Sequence, residues 1–366
     1  MRQRSLRVNP HSPYRRVIGV GGIGTGIFFA LEGNHTLGRN ESRPARLLNI
    51  RDYCKLHIIS HYIAVLLGAD PSGSPFHVLP IGKVGADEPG RRMVQEMSNA
   101  GMDVRHVETI ADHPTLFSVC FQYPDGAGGN LTTSQSAAAE LTPLDVERGC
   151  SLLAADHAGS IALAAPEVSI EARLHLLKLA TQCHAFRAAA LTSSEMLTAR
   201  QSGLFSLVDL ISINEDEAGM LIDRPFDPQD PYPFLNACSA VLTSYQPGMR
   251  VVVSAGEHGA FAFADGIWDH CPAVPASVVS TAGAGDALLG GILSGLAAGM
   301  PLTCSGSPRK SITDRPLRTA VEFGVLLASY TVTSPHTIHP DLKLETLLAF
   351  AHDLGVTFSG EMERFL

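Results

Sequence analysis

The stretch STAGAGDALLGGILSGL, residues 280–296, concentrates the residue types that phosphoryl chemistry uses. Gly283, Ala284 and Gly285 are small enough for their backbone N–H groups to face an anion. A helix opening near Asp286 would add the positive end of its dipole there. Such a nest suits the migrating phosphoryl group of ATP. A carboxylate beside it is repulsive unless it has a task, and deprotonating a hydroxyl that attacks the γ-phosphate would be that task. The alternative is that Asp286 caps a helix, a common role for Asp. The stretch taken alone leaves both open.

Two other sets of residues could do chemistry. GVGGIG, residues 19–24, follows a β-branched run and fits the spacing of a dinucleotide loop. That site also needs a helix, then a strand ending in an acid about 20 residues on. The segment NHTLGRNESRPARL after it does not read as a strand, so close backbone packing explains the glycines better. There is no Walker loop, because the Gly82-Lys83 pair is followed by Val. His57 and His61 share one helix face at i, i+4. Without a clear third ligand they read as a structural pair before a metal site.

The elements that must position these residues follow from periodicity. Strands are expected over 15–22 and 76–85, a helix over 86–102, and half-buried strands in DVRHVETI and TLFSVCFQYP. The cluster 124–130 reads as a hairpin turn. From about residue 143, helical segments alternate with short apolar strands at 160–165, 185–193, 208–214 and 250–256. That alternation marks a mostly parallel sheet with helices on both faces. An antiparallel hairpin at GAFAFADGIWDHC, a polar loop over 305–316 and a helix over 317–332 complete the chain. Apolar residues make up 45% of the 366, enough for a large core. The net charge of −9 argues against a nucleic-acid binder. Seven dispersed cysteines without a CxxC pair read as reduced thiols in a cytoplasmic protein. No run is long and apolar enough for a membrane span. Residues 1–16 read as a basic N-terminal tail.

STAGAGDALLGG resembles the C-terminal signature of the ribokinase/PfkB family of carbohydrate kinases. Four further landmarks appear in the family's order: IGKVGADEPGRRMVQEMSNAGMDV, HPTLFSVCFQYPDG, INEDEAGML and VVVSAGEHGAFAF. The resemblance covers about residues 17–350. It implies an α/β, ribokinase-like fold: a doubly wound, mostly parallel sheet flanked by helices, with a small β-sheet lid from about 24–50 and 108–136, all within one kinase domain, 17–366. It implies an ATP-dependent kinase that phosphorylates a hydroxyl of a small sugar or sugar-like substrate. Asp286 matches the general base, and Gly283, Ala284 and Gly285 the anion hole. Asn214 and Glu217 match the residues that organise Mg²⁺ and its waters, Glu217 holding the ion through water. Ser254, Gly256, Gly259 and Thr281 fall where the family contacts ATP. Lid strands pair between protomers in such folds, so the resemblance allows a homodimer. No nucleic acid or membrane is implied as partner.

The sequence departs from the family at three places. Ser280 replaces the signature's leading Asp, which argues against K⁺ activation. Gly26 stands where the first strand delivers an Asp to the sugar, and Ile59 where a sugar-binding Asn is expected. The replacement segment has its own polar set, Asp52, Lys55, His57 and His61, and Asn130 lies across the lid turn. These are the candidate acceptor residues. The alternatives are a nucleoside kinase of the same family, or a nucleotide-binding member with a degenerate acceptor site.

Overall fold

The computed structural model describes residues 4–125, 127–151, 153, 159–304 and 309–366. The expected polar loop is therefore seen from 309 on, and Gly126 of the hairpin turn and residues 1–3 of the tail lie outside the described residues. The strands are β1 (Arg16–Val20), β2 (Gly24–Leu31), β3 (Ala45–Tyr53), β4 (His77–Gly85), β5 (Val107–Ile110), β6 (Leu116–Gln122), β7 (Gly128–Thr132), β8 (Ser160–Ala164), β9 (Phe186–Ala190), β10 (Leu210–Asn214), β11 (Arg250–Ser254), β12 (Ala260–Ala264) and β13 (Ile267–Cys271). The helices are α1 (Lys55–Leu67), α2 (Glu88–Asn99), α3 (Pro143–Gly149), α4 (Ile170–Gln182), α5 (Met196–Gln201), α6 (Glu215–Ile222), α7 (Tyr232–Tyr245), α8 (Ala284–Ala298), α9 (Ala320–Thr331), α10 (Leu344–Asp353) and α11 (Gly360–Glu363).

Nine strands form one sheet in the order β13-β12-β11-β10-β9-β8-β1-β4-β5. Pairing is parallel from β11 through to β5, and β12 and β13 add an antiparallel edge. The inner strands carry continuous apolar runs because both faces are covered: every residue of β4 and of β8 is buried. This is the doubly wound sheet that the alternation of helices and strands predicts. The register sets Asn214 opposite Ser254 at the carboxyl ends of β10 and β11. In open α/β sheets that edge is where ligands collect.

Helix α8 owes its place to its small residues. It packs between α1 and α9, and a Cβ at Gly291 would lie 2.7 Å from the Gly324 Cα of α9. Ten of the thirteen residues of α1 are buried, so this helix is core on most of its circumference.

The second sheet has the order β3-β2-β6-β7. Gly26 pairs with Asp52 on one side and Ser118 on the other, and Cys120 pairs with Asn130, so these residues share a face. On the opposite face Phe29 pairs with Leu47 and Phe121, and Val119 with Leu131. Leu47 and Leu131 are 60% and 68% exposed there.

The structure settles four expectations. The glycines at 19–24 lead into strand β2, not a helix, which removes the dinucleotide reading. The end of the segment read as non-strand, from Ala45, begins β3; its pairing with β2 supplies the order that its polar residues conceal. Residues 4–15, read as a tail, lie against the body: Leu6 is 2% exposed, its N–H reaches Leu66 O, and Arg7 N–H reaches Phe365 O. Val107–Ile110, at the start of the expected lid segment, pairs with β4 in the large sheet.

Candidate active site

Gly283 is the N-cap of α8, with φ +80°. A Cβ there would lie 2.4 Å from the Thr337 carbonyl oxygen, so both the turn and the close approach require glycine. Thr337 in turn fastens β3: its N–H donates to Arg51 O, and its Oγ1 accepts from Tyr53 N–H. The glycine turn and the end of the lid strand are thereby held together. In the first turn of α8 the N–H groups of Gly285 and Asp286 have no intrahelical acceptor. Nothing lies within 4 Å of a Cβ built at Gly285, so a ligand has room to approach that backbone.

These residues open onto a cavity of about 830 Å³. Asn214, Ser254, Gly256, Gly259 and Thr281 lie on its wall with residues 283–286. Ala260, Val274, Val278, Val325 and Val332 supply an apolar side. Asn214 and Glu217 close a capping box on α6: Asn214 Oδ1 accepts from Glu217 N–H at 2.7 Å, and Glu217 Oε2 accepts from Asn214 N–H at 3.0 Å. The box aims Glu217 into a smaller cleft that it shares with Lys55, Ser254, Gly285 and Asp286. Burial raises the pKa of Glu217.

Asp286 is 7% exposed, and Lys55 Nζ stands 3.2 Å from its Oδ1. Lys55 is the first residue of α1, separated from β3 only by the N-cap Cys54, and its backbone N–H donates to Glu167 Oε2 at 3.2 Å. Burial opposes the ammonium charge, but the carboxylates of Asp286, Glu217 and Glu167 outweigh it and hold the Lys55 pKa above its ordinary value. Burial pushes Glu167 up to about 7.

The empty position at Gly26 is filled from the neighbouring strand. A Cβ built there would be 2.5 Å from Asp52 Oδ2 and 2.2 Å from Ser118 Oγ. Ser118 Oγ donates to Asp52 Oδ2 at 3.1 Å. Burial pushes Asp52 up to about 6, with the Asp286 charge adding a little. A carboxylate thus stands on the lid within electrostatic reach of Asp286, offered by β3 instead of β2. Asn130, exposed on β7, shares that face.

His57 and His61 go elsewhere. His57 is fully buried, packs its ring tilted by 60° against Tyr53 with centroids 4.7 Å apart, and among the described residues neither ring nitrogen has a hydrogen-bond partner. Burial holds the His57 pKa well below the usual histidine range and lowers that of His61 to about 4. Neither ring lines the cavity or the cleft. Ile59, in the position expected of an Asn, is core. Among the described residues no three His, Cys, Asp or Glu side chains converge as a metal cage. All seven cysteines are free thiols. No described helix is long and apolar enough to cross a membrane.

Sequence reasoning passed over Glu167 and Ser118. Glu167 lies just beyond the end of β8 with φ +72°, a strained backbone for a non-glycine residue. An acid at the carboxyl end of a buried parallel strand was the available signal. Ser118 carried none, since its role depends on the pairing of β2 with β6.

Kinases are among the solved structures with this architecture. Ribokinase from Giardia lamblia superposes with a TM-score of 0.72 at 15% identity, covering 91% of this chain and 99% of that one. Adenosine kinase from Sinorhizobium meliloti gives 0.65 at 20%, covering 92% and 99%. The Burkholderia thailandensis nucleoside kinase, in complex with inosine, gives 0.66 at 15%, covering 94% and 100%. No curated protein matches the chain in sequence. Residues 63–344, more than three quarters of the chain, match the description pfkB family carbohydrate kinase. With its ribokinase-like fold and its glycine turn opening α8, the chain belongs to the pfkB family of carbohydrate kinases.

Proposed function

We propose that the protein transfers the γ-phosphoryl group of ATP to a hydroxyl of a small polyol, with Asp286 as general base. The observation that carries this reading is the position of Asp286. Its carboxylate is nearly buried at the start of α8, beside two unengaged N–H groups and on the wall of the 830 Å³ cavity. A helix cap would not need a carboxylate in that place, and Asp286 caps nothing: the N-cap is Gly283.

The nucleotide lies along the cavity, with its base on the apolar side and its phosphates at 283–286. The donor set suits Mg²⁺. Glu217 is a buried carboxylate whose pKa burial raises, which a cation would offset, and among the described residues no protein cage surrounds it. Mg²⁺ commonly keeps its waters and takes one or two carboxylates plus phosphate oxygens. When bound, the ion supplies neutralising charge to the phosphates. Asn214 fixes Glu217 through the capping box, and residues 283–286 orient the γ-phosphate. Asp286 takes the proton of the attacking hydroxyl.

The acceptor sits between Asp286 and the polar face of the small sheet. Asp52, held by Ser118, accepts from one or two of its hydroxyls, and Asn130 is within the same face. Transfer depends on alignment of the hydroxyl with the phosphorus, so a two-point grip has direct kinetic value. A coupled ADP-release assay over sugars, sugar acids and nucleosides tests the reading. Acceptor-dependent ADP release with Mg·ATP supports it. Nucleotide binding without transfer to any polyol would leave a binding protein in its place.

A further inference from the structure

We propose that Lys55 is a catalytic residue of the phosphoryl-transfer site, its ammonium donating to a non-bridging oxygen of the γ-phosphate. The inference rests on the reading above and adds a residue that the reading does not use.

The geometry starts from charge. Lys55 is the only basic side chain on the described walls of both the cavity and the cleft, against the carboxylates of Asp286, Glu215, Glu217 and Glu257. Without it, every charged side chain on those described walls that an incoming triphosphate meets would be an acid. The ammonium is well placed to answer it. Its root is fixed, because the Lys55 backbone N–H is bound by Glu167 and β3 ends at Tyr53, with only Cys54 between. Its tip stands beside the anion nest, 3.2 Å from Asp286 Oδ1, and the side chain retains 29% exposure toward the open space.

An ammonium has three donors. Asp286 is the only described side chain that accepts from this one. The 3.2 Å separation is longer than the roughly 2.7–2.9 Å of a tight charge-assisted bond. A partner with greater negative charge can therefore share the ammonium without dismantling a stronger contact.

In the reaction, the bond from phosphorus to the β,γ-bridging oxygen breaks and ADP leaves with that electron pair. The acceptor oxygen forms the new bond to phosphorus, and its proton passes to the Asp286 carboxylate. Lys55 keeps its proton throughout. It holds the equatorial oxygens and relieves the repulsion between the phosphoryl group and the base, which is electrostatic stabilisation of the kind that dominates phosphoryl transfer.

The test compares nucleotides that differ only by the γ-phosphate. Calorimetric titration of the full chain with Mg·AMP-PNP and with Mg·ADP is done for wild type, Lys55→Met and Lys55→Arg, with thermal unfolding as the check on folding. The expected result for Lys55→Met is a loss of about 10–100-fold in AMP-PNP affinity, the range for a hydrogen bond to a charged group. Mg·ADP should change by less than about threefold, and Lys55→Arg should recover most of the discrimination. Lys55→Gln replaces the Met variant if that one does not fold. Equal losses for both nucleotides, or no loss for either, overturn the proposal while leaving the kinase reading intact. Failure of the wild type to bind either nucleotide would instead overturn the kinase reading, and this inference with it.

Discussion

Gly26→Ala is a small change aimed at the acceptor end of the site. Its Cβ would lie 2.2 Å from Ser118 Oγ, 2.5 Å from Asp52 Oδ2 and 3.0 Å from Ser118 O, where ordinary contact begins at 3.4 Å. The two closest atoms are side-chain ends, so they can move aside, each by about an ångström. In moving they give up the 3.1 Å Ser118–Asp52 hydrogen bond. A bond to a charged group contributes about 1.5–3 kcal/mol. We therefore expect Gly26→Ala to destabilise the protein by about 1–3 kcal/mol, a fall in Tm of roughly 2–4 °C for each kcal/mol. A carboxylate displaced by about 1 Å should lower kcat/KM for the acceptor by roughly 10–100-fold, with little change in Mg·ATP affinity. Thermal unfolding and the ADP-release assay measure the two effects. Adding Ser118→Ala removes the shortest overlap and should return part of the stability but not the acceptor rate. A Gly26→Ala protein with wild-type Tm and wild-type acceptor kinetics would refute the idea that Asp52 occupies and uses this space.

Three further perturbations separate the roles of neighbouring groups. Gly283→Ala should be strongly destabilising, by more than the ~1–2 kcal/mol of a left-handed residue, because the methyl meets the Thr337 carbonyl backbone at 2.4 Å. Gly285→Ala meets nothing within 4 Å. It should keep or slightly raise Tm yet weaken Mg·ATP binding, and a wild-type affinity would mean the phosphate does not approach that backbone. Burial lifts Glu167 from 4.5 to about 7. The folded state then holds this proton where the unfolded state has lost it, so the contribution of Glu167 is favourable below about pH 4.5 and is lost as pH rises to about 7. Glu167→Gln mimics the protonated form, so its Tm relative to wild type should rise between pH 5 and pH 8; a difference independent of pH would show that Glu167 is not held protonated.

The glycine turn and the capping box were legible because their positions are local. Residues 283–286 and the pair Asn214 and Glu217 each lie within one turn of chain, where glycine conformation and helix capping dictate residue type. The same locality hides dual use: Asn214 and Glu217 are a capping box by their hydrogen bonds, whatever else they hold. Asp87 in the second landmark is a cap as well, and also binds the Thr115 backbone N–H at 2.8 Å, which joins α2 to the lid strand. The proposed acceptor face was not legible, since it is made of pairings between strands. Nothing in the chain says that Asp52 will lie against Gly26, because the connection 32–44 is mostly polar and β3 has no apolar alternation to announce it. His57 and His61 misled by type: a buried imidazole kept neutral resembles, in sequence, one that binds a ligand.

The role of Asp286 is the centre of the account, and Asp286→Asn tests it most directly. Asparagine keeps the shape and removes the base, so with a good acceptor kcat should fall by roughly 10²–10⁴, the usual contribution of a general base. Mg·ATP affinity, read by calorimetry on the same sample, should stay within a few-fold of wild type. A folded Asp286→Asn protein that turns over at near wild-type rate would contradict the mechanism.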